Sequence, residues 1–463
     1  MTGQFLRTTA LCGTITLACV GGPALAQSAD EVTALRAQLA ALSARLEALE
    51  GQQAQTAATV SSNTAAVSTI ADNPPNFVID DKGVSEQVVV AGETPRSFKI
   101  PGTNTDFRIT GFAKADFIYD FDQDVGDFFV TDNIETDPNV DTSDGFTFHA
   151  RQSRLSFQTR TPSSLGDVRT LVEADFVGSF SFGEAFSNSA NFRLRHAAAD
   201  IGPVKVGQFW SLFTPLEAYP STVDFQGPAG IPFTRQAQVR YTSKVSENLT
   251  LAASIENPET IGQLSDGSGT FDTSTSLAAL GNVSFDQLPD FHVAGTHTSD
   301  LGTFKLAGVV RSLSSESSDD EDFGFGINAS ARMTPWEGGL LQLTGTYGDG
   351  VGRYLINGFG LGAVQDTATD ELESVEAYGV TAAVGQKFGE NWDAQLAYGR
   401  FEVIDDLTAV SGDLLESTQS VHATIRYKPL SNVTTGLELI YGCLLYTSPS
   451  PRDQRGSRMP SSA

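Results

Sequence analysis

The stretch Phe107–Phe121, which reads FRITGFAKADFIYDF, constrains the fold of this chain most strongly. Its odd positions are apolar, aromatic or small, whereas its even positions include Arg108, Lys114 and Asp120. This period of two predicts a β-strand with one apolar and one charged face. A strand that crosses a bilayer needs about 9 to 11 residues, whereas a strand in a soluble sheet needs only about 5 or 6. The length of this run therefore favours a membrane-spanning strand whose polar face lines an aqueous lumen.

Similar alternating runs recur along the rest of the chain and predict an all-β, transmembrane antiparallel barrel. We count fifteen runs, whereas barrels of bacterial outer membranes close with an even number of strands. We therefore expect about 16 strands, of which the last is missing here. Short turns alternate with long polar loops, and we assign the turns to the periplasm and the loops to the cell exterior. The runs are Phe107–Phe121, Phe146–Arg160, Asp167–Val177, Asn191–Ile201, Pro203–Phe209, Gln236–Lys244, Asn248–Asn257, Asp290–Ser299, Gly302–Arg311, Phe323–Met333, Gly338–Tyr347, Ser374–Phe388, Trp392–Val403, Gln419–Lys428 and Val433–Tyr441.

The composition agrees with a barrel and argues against transmembrane helices and against nucleic-acid binding. Beyond the N-terminus no apolar stretch reaches the roughly 18 residues of a transmembrane helix. The mean hydropathy is −0.12, as expected when only every second residue of a strand is apolar. The formal net charge is −27, so no basic surplus is available to bind nucleic acid. We place most of this negative charge in the outer loops.

The N-terminal segment Met1–Ala26 has the features of a secretory signal peptide. Arg7 precedes an apolar core at Leu11–Val20, and Ala24–Ala26 forms an A-x-A cleavage site. Two of the three cysteines lie in this segment, so the exported chain is nearly free of thiols. It therefore has no disulfide framework and no cysteine-based metal site.

Residues 27–72 are predicted to form a periplasmic coiled coil, followed by a linker over residues 73–106. An alternative is an amphipathic helix that packs against the barrel rim, but the narrow apolar stripe favours the coiled coil. A parallel coiled coil implies an oligomer. The stripe is formed by Val32, Leu35, Leu39, Leu42, Leu46 and Leu49, and continues more weakly to Ile70.

The C-terminal residues 443–463 differ from the rest of the chain. They show no alternation, and they read as the translation of a transposase-type sequencing adapter. We therefore expect the native barrel segment to comprise residues 107–442 and to be truncated, with a non-native tail after Gly442.

Little in the sequence supports catalysis or a cofactor. G-x-S-x-G and H-E-x-x-H are absent. The residues Asp120–Gly126 resemble the start of a calcium loop, but the glycine comes one place late, so a solvated acidic loop is the preferred interpretation. We predict a protein that is not an enzyme and that has no metal or cofactor.

The stretch Trp210–Arg235, between the fifth and sixth runs, is too long and too apolar for an exposed loop tip. We expect it to fold into the barrel and to narrow the pore, although a contact with a neighbouring subunit is an alternative. The residues of this predicted constriction loop are Trp210, Phe213, Glu217, Tyr219, Asp224 and Arg235.

Basic residues on the flanking runs lie on the side opposite to their apolar neighbours. This pattern predicts a basic wall at the constriction, opposed by the loop acids Glu217 and Asp224. Cross-strand ion pairs with Glu173 and Asp175 are the alternative interpretation. The predicted wall consists of Arg154, Arg169, Arg193, Arg195, Lys205 and Arg240.

Three segments, together with the N-terminal heptads, resemble the DcaP-like family of trimeric outer-membrane porins. They are Ser97–Phe121, Phe148–Arg160 and Val204–Phe213. The resemblance implies a sixteen-stranded homotrimeric barrel with a periplasmic coiled coil, in contact with outer-membrane lipid and lipopolysaccharide. It also implies passive diffusion of small hydrophilic, often anionic solutes such as dicarboxylates.

We therefore predict an outer-membrane porin for small anionic solutes. Two alternatives remain at this point. A phosphate-selective porin would need a ladder of inward arginines, which the many acids oppose. A cell-envelope tether or adhesin would use the barrel as an anchor and would not conduct.

Overall fold

The structure is a computed structural model. It describes residues 90–135, 140–178, 190–264, 270–272, 288–315, 320–356, 361–366, 368–369, 371–405 and 415–446. The chain divides into two units, Met1–Glu86 and Gln87–Ala463, and all the described residues belong to the second. The predicted signal peptide, the coiled coil and the tail beyond Tyr446 lie outside the described residues.

The described residues form β-strands joined by turns, loops and three short 3-10 helices, Thr131–Asn133, Leu216–Ala218 and Gly352–Tyr354. The strands are β1 (Phe98–Lys99), β2 (Asp106–Phe112), β3 (Asp116–Asp120), β4 (Gly145–His149), β5 (Arg154–Ser163), β6 (Gly166–Asp175), β7 (Arg193–Ile201), β8 (Val204–Trp210), β9 (Arg235–Lys244), β10 (Leu249–Glu256), β11 (Ile261–Leu264), β12 (Thr270–Asp272), β13 (Asp290–Ser299), β14 (Gly302–Ser314), β15 (Glu321–Met333), β16 (Gly339–Asp349), β17 (Ala363–Gln365), β18 (Leu372–Ser374), β19 (Glu376–Phe388), β20 (Trp392–Val403), β21 (Leu415–Leu430) and β22 (Val433–Tyr446).

Sixteen strands form one antiparallel sheet in the order β1-β2-β5-β6-β7-β8-β9-β10-β13-β14-β15-β16-β19-β20-β21-β22. The member β1 has only two residues, and each of the other fifteen overlaps one of the predicted runs. The predicted run Phe146–Arg160 is not one strand, because it is divided into β4 and β5. The expected antiparallel all-β fold is therefore confirmed. The sixteenth member is not a further strand at the C-terminal edge but the short β1, which lies in the predicted linker.

Side-chain exposure on the strands is the reverse of that in a soluble sheet. On β15, the outward side chains of Phe323, Phe325 and Ile327 are 63%, 43% and 52% exposed. The next residue along the strand, Asn328, is fully buried. Large apolar groups on the outside and small or polar groups on the inside are typical of a barrel in lipid. The buried apolar cluster, which includes Phe213, lies inside the barrel rather than between two sheets.

The first predicted strand, Phe107–Phe121, is not continuous. It breaks at residues 113–115 into β2, which pairs with β5, and β3, which pairs with β4 in a separate two-stranded sheet. The break places Lys114 Nζ 2.5 Å from Asp116 Oδ1 and 2.8 Å from the carbonyl oxygen of Val223. The pairing of the first predicted strand with its neighbour is thus interrupted where Lys114, on the barrel wall, binds Val223 in the segment between β8 and β9.

The edge strand β22 of the large sheet lies next to β3 of the separate two-stranded sheet. Among the described residues, no backbone pairing joins β22 to β2 or β3, and a groove of about 460 Å³ lies between β3 and β22. Because β22 is the fifteenth long strand of an antiparallel meander, it runs in the same direction as β2. The strand β22 extends past Gly442 to Tyr446 by continuing its pairing with β21.

Candidate functional site

The loop between β8 and β9, residues 211–234, folds into the lumen and packs against the inner wall. Phe213 and Ile231 are fully buried. Leu216, however, is 44% exposed, so the expectation that this loop buries all its large apolar residues is wrong at that position. The 3-10 turn that begins at Leu216 buries Ala218 instead.

Hydrogen bonds to six strands on the far side of the barrel hold this loop in place. Because the loop crosses from β8 to β22, it narrows the lumen along its whole path. The bonds are Lys305 Nζ to Thr214 O (2.7 Å), Ser330 Oγ to Glu217 Oε1 (2.7 Å), Gln342 Nε2 to Tyr219 O (2.5 Å), Ser221 N to Gln395 Oε1 (2.6 Å), Ala229 N to Ser420 Oγ (3.0 Å) and Val223 N to Glu438 Oε2.

The two acids of the loop serve as structural acceptors. Glu217 accepts the hydroxyl of Ser330 on β15. Asp224 accepts the backbone N–H groups of Phe129 at 3.0 Å and Gln226 at 2.7 Å. Desolvation by burial raises the pKa of Asp224 above its ordinary value. Both carboxylates are therefore used in hydrogen bonds that hold the loop, and the predicted opposition of these acids to the basic wall is not observed.

The centre of the predicted basic wall is a network of ion pairs on β5, β6 and β7. Arg193 binds Asp175 through two hydrogen bonds of 3.0 and 2.8 Å. Arg195 binds both Glu173 at 3.0 Å and Asp175 at 2.9 Å. Arg154 lies 3.5 Å from Glu173. The cross-strand pairing that the sequence left as an alternative is therefore present, and the two carboxylates offset two of the three arginine charges.

Arg235 lies at the end of the loop, where β9 begins. Within the described part of the chain, no carboxylate lies within ion-pair distance of its guanidinium, and its Nη1 is buried without a hydrogen-bond partner. Its Cζ lies 4.7 Å from the ring centroid of Trp210 and 5.3 Å from that of Phe233. Trp210 faces Arg235 across β8 and β9. Aromatic faces hold this cation by cation–π attraction without cancelling its charge.

The loop joins the ion pairs and Arg235 into one cluster. The ring of Phe225 lies 5.5 Å from the Cζ of Arg193 and 5.6 Å from that of Arg195, and 6.0 Å from the ring of Phe233. Four arginines face two carboxylates here, so the cluster carries an excess of two positive charges. We call Arg154, Arg193, Arg195, Arg235, Glu173 and Asp175 the arginine cluster.

Three residues of the predicted wall lie elsewhere. Arg169 pairs with Asp167 near a short turn and is 63% exposed. Lys205 pairs with Asp200 at 2.6 Å. The guanidinium of Arg240 donates to the carbonyl oxygen of Trp210 at 2.6 Å. The alternation of the strands places all three side chains on the lumen side. Their positions along the strands separate them from the cluster. Alternation indicates which face a residue occupies but not how far along the barrel axis it lies.

A second inward segment, residues 350–356, was missed by sequence reasoning. Its Tyr354 is buried and donates its hydroxyl to Asp290 at 2.5 Å, with His292 Nε2 at 3.2 Å. Its backbone binds the constriction loop, since Phe233 N donates to Tyr354 O at 2.9 Å. The apolar triplet Tyr354–Ile356 within a polar, glycine-rich stretch was the only signal in the sequence.

The described residues contain no group of three or more His, Cys, Asp or Glu side chains placed to hold a metal ion. No helix in the described part of the chain is long and apolar enough to cross a membrane.

Comparison with known proteins gives a family match over part of the chain and a similar fold. A family model described as DcaP outer membrane protein matches residues 89–294. The chain is similar to the crystal structure of the outer membrane channel DcaP of Acinetobacter baumannii, with 22% identity, a TM-score of 0.63, and coverage of 77% of this chain and 94% of that chain. No curated protein sequence matches the chain.

Weaker similarities involve other porins. An anion-selective porin from Comamonas acidovorans matches with 9% identity and a TM-score of 0.48, over 73% of this chain and 89% of that one. The trimer form of OmpT of Vibrio cholerae matches with 10% identity and a TM-score of 0.45, over 73% and 88%. The resemblance read from the sequence is confirmed by the family match: residues 89–294 are similar to the DcaP outer membrane protein family, and the fold is similar to that of the DcaP channel.

Proposed function

We propose that this porin admits small anionic solutes, such as dicarboxylates, by passive diffusion, and that the arginine cluster sets the preference. The observation that carries the proposal is Arg235, a cation beside the constriction loop that has aromatic neighbours and, among the described residues, no acid partner. A guanidinium presents several N–H donors in a plane and suits a carboxylate.

The net charge of the chain, −27, does not oppose this preference. Charges farther than about 8 to 10 Å from a permeating ion are screened at physiological salt. The acids concentrate in the long loops, whereas the arginine cluster lies beside the constriction loop. Local charge at a narrow point decides selectivity, and the local excess is positive.

We also propose that the protein is a homotrimer held in register by the periplasmic coiled coil at residues 27–72, and that its outer wall contacts membrane lipid and lipopolysaccharide. The support is the heptad pattern and the family resemblance. The isolated segment should trimerise, and Leu39→Asp with Leu46→Asp should make it monomeric because a charge would enter the seam. A segment that is monomeric at high concentration would overturn this assignment.

The proposed preference is tested by the reversal potential in a KCl gradient across a planar bilayer. The wild type should favour chloride, and Arg235→Gln should reduce that preference severalfold. Arg235→Lys is the matched control, since it keeps the charge and should keep most of the preference. A cation-selective wild type, or a Gln variant equal to the wild type, would refute the role of Arg235. Absence of any conductance would favour a tether.

A further inference from the structure

Basic side chains gather on the lumen face at the short-turn end of the barrel. Each lies within three residues, or about 10 Å, of the end of its strand. Their inward direction follows from the strand pattern: on β15, for example, the column of buried Asn328 and Ser330 continues to Arg332. We call this set the basic collar. It consists of Arg160, Arg169, Lys205, Lys244, Arg332 and Lys387.

Half of the collar is neutralised and half is not. Arg160 and Arg169 share Asp167, at 2.7 and 3.2 Å, and Lys205 pairs with Asp200. For the other members, no acid among the described residues lies within 4.0 Å. All three of these side chains are exposed to the lumen; they are Lys244, Arg332 and Lys387.

The opposite end of the barrel carries the opposite charge. Its long connections contain a single basic residue, Arg353, among many aspartates and glutamates. The connections counted are residues 121–144, 257–289, 315–320, 350–375 and 404–414. Acids also occur at the short-turn end. Glu337 and Glu390 lie in the turns, whereas Asp167, Asp200 and Asp393 lie on the strands and are each paired with basic residues.

We propose that the basic collar is a second anion-recruiting element, separate from the arginine cluster, and that the opposed charges of the two ends make the channel a rectifier. The proposal rests on the porin conducting ions, as proposed above. Small anions are the ligands, rather than an acidic partner protein, because the collar side chains point into the lumen and not outward from the rim.

The direction of rectification follows from the charges. Anions concentrate near the collar and cations near the acidic loops. When the long-loop side is positive, cations enter from the acidic end while anions enter from the collar end. Both kinds of ion then accumulate inside the pore, and the current is large. At the reverse polarity both are drawn out and the pore is depleted. The current is therefore larger with the long-loop side positive.

The test is a current–voltage curve of the full chain, added from one side of a planar bilayer in low salt. Currents at equal and opposite voltages should differ at least about twofold, and the ratio should approach one at about 1 M salt, where the Debye length falls to about 3 Å. The triple variant Lys244→Gln, Arg332→Gln, Lys387→Gln should lose most of the rectification. The matched control is Lys244→Arg, Arg332→Lys, Lys387→Arg, which keeps the charges and should rectify as the wild type does.

The possible results distinguish the role of the basic collar from that of the arginine cluster. A wild type with a linear current–voltage curve in low salt would overturn the proposal, as would a Gln variant that rectifies like the wild type. If the Gln variant does not insert, the salt dependence of the wild type decides. Arg235→Gln should change the reversal potential and leave the rectification ratio within about a factor of 1.5. A wild type that rectifies but shows no anion preference would reject the role of Arg235 and keep the collar.

Discussion

The position of the constriction loop depends on a close approach at Gly230. This residue has φ +76°, and a Cβ atom there would lie 2.1 Å from the carbonyl oxygen of Arg400 on β20. The obstacle is backbone, so no side chain can turn away to relieve it. Gly230→Ala should therefore push the loop off the wall.

The cost of this change can be estimated from the contacts that the loop would lose. The left-handed backbone costs a non-glycine residue about 1–2 kcal/mol. Three nearby hydrogen bonds would be strained or broken: Gly230 N to Ile356 O (2.9 Å), Ile356 N to Ile231 O (3.0 Å) and Ala229 N to Ser420 Oγ (3.0 Å). At about 0.5–1.5 kcal/mol each, they bring the total to roughly 3–6 kcal/mol. That shifts the loop equilibrium by at least about 100-fold, since 1.4 kcal/mol is a factor of ten.

The assay is single-channel conductance, which should rise or flicker between levels when the loop leaves the lumen. Gly227→Ala is the matched control: this glycine lies in the same loop at φ +79°, but the nearest atoms to its added Cβ are 3.8 Å away. It should cost only about 1–2 kcal/mol and leave the conductance unchanged. Equal conductance in the two variants and the wild type would show that the contact with β20 does not position the loop.

Further predictions concern substitutions of single residues. Asp175→Asn should free Arg193 and Arg195 from a shared carboxylate and increase the chloride preference measured by reversal potential. Tyr354→Phe should leave buried Asp290 without its hydroxyl donor and lower the free energy of unfolding by about 1–3 kcal/mol, as measured by denaturant titration. Because burial raises the pKa of Asp224, stability from its protonated form should be lost as the pH rises through that pKa; Asp224→Asn should flatten this dependence in thermal melts.

The strands could be predicted from the sequence because their signal is local. Alternation of period two fixes the face of each residue, so Arg193 and Arg195 could be assigned to the lumen. Their pairing with Asp175 depends on the register of β6 and β7, which includes an irregularity after Glu173. Parity does not carry that information.

The parts of the site that the sequence did not reveal depend on distant contacts. Trp210 and Arg235 meet only after the loop between them has closed. Tyr354, Asp290 and His292 come from separate parts of the chain. The apolar triplet Tyr354–Ile356 is too short to distinguish an inward segment from an exposed loop, because the glycine-rich polar residues around it occur in both.

The central claim is that this channel prefers anions although the chain is strongly acidic. The most direct measurement compares two solutes of equal length and opposite charge, succinate and butane-1,4-diamine, by the swelling rate of liposomes that contain the protein. Succinate should enter faster than the diamine, and the difference should be smaller for Arg235→Gln. Equal rates, or faster entry of the diamine, would contradict it.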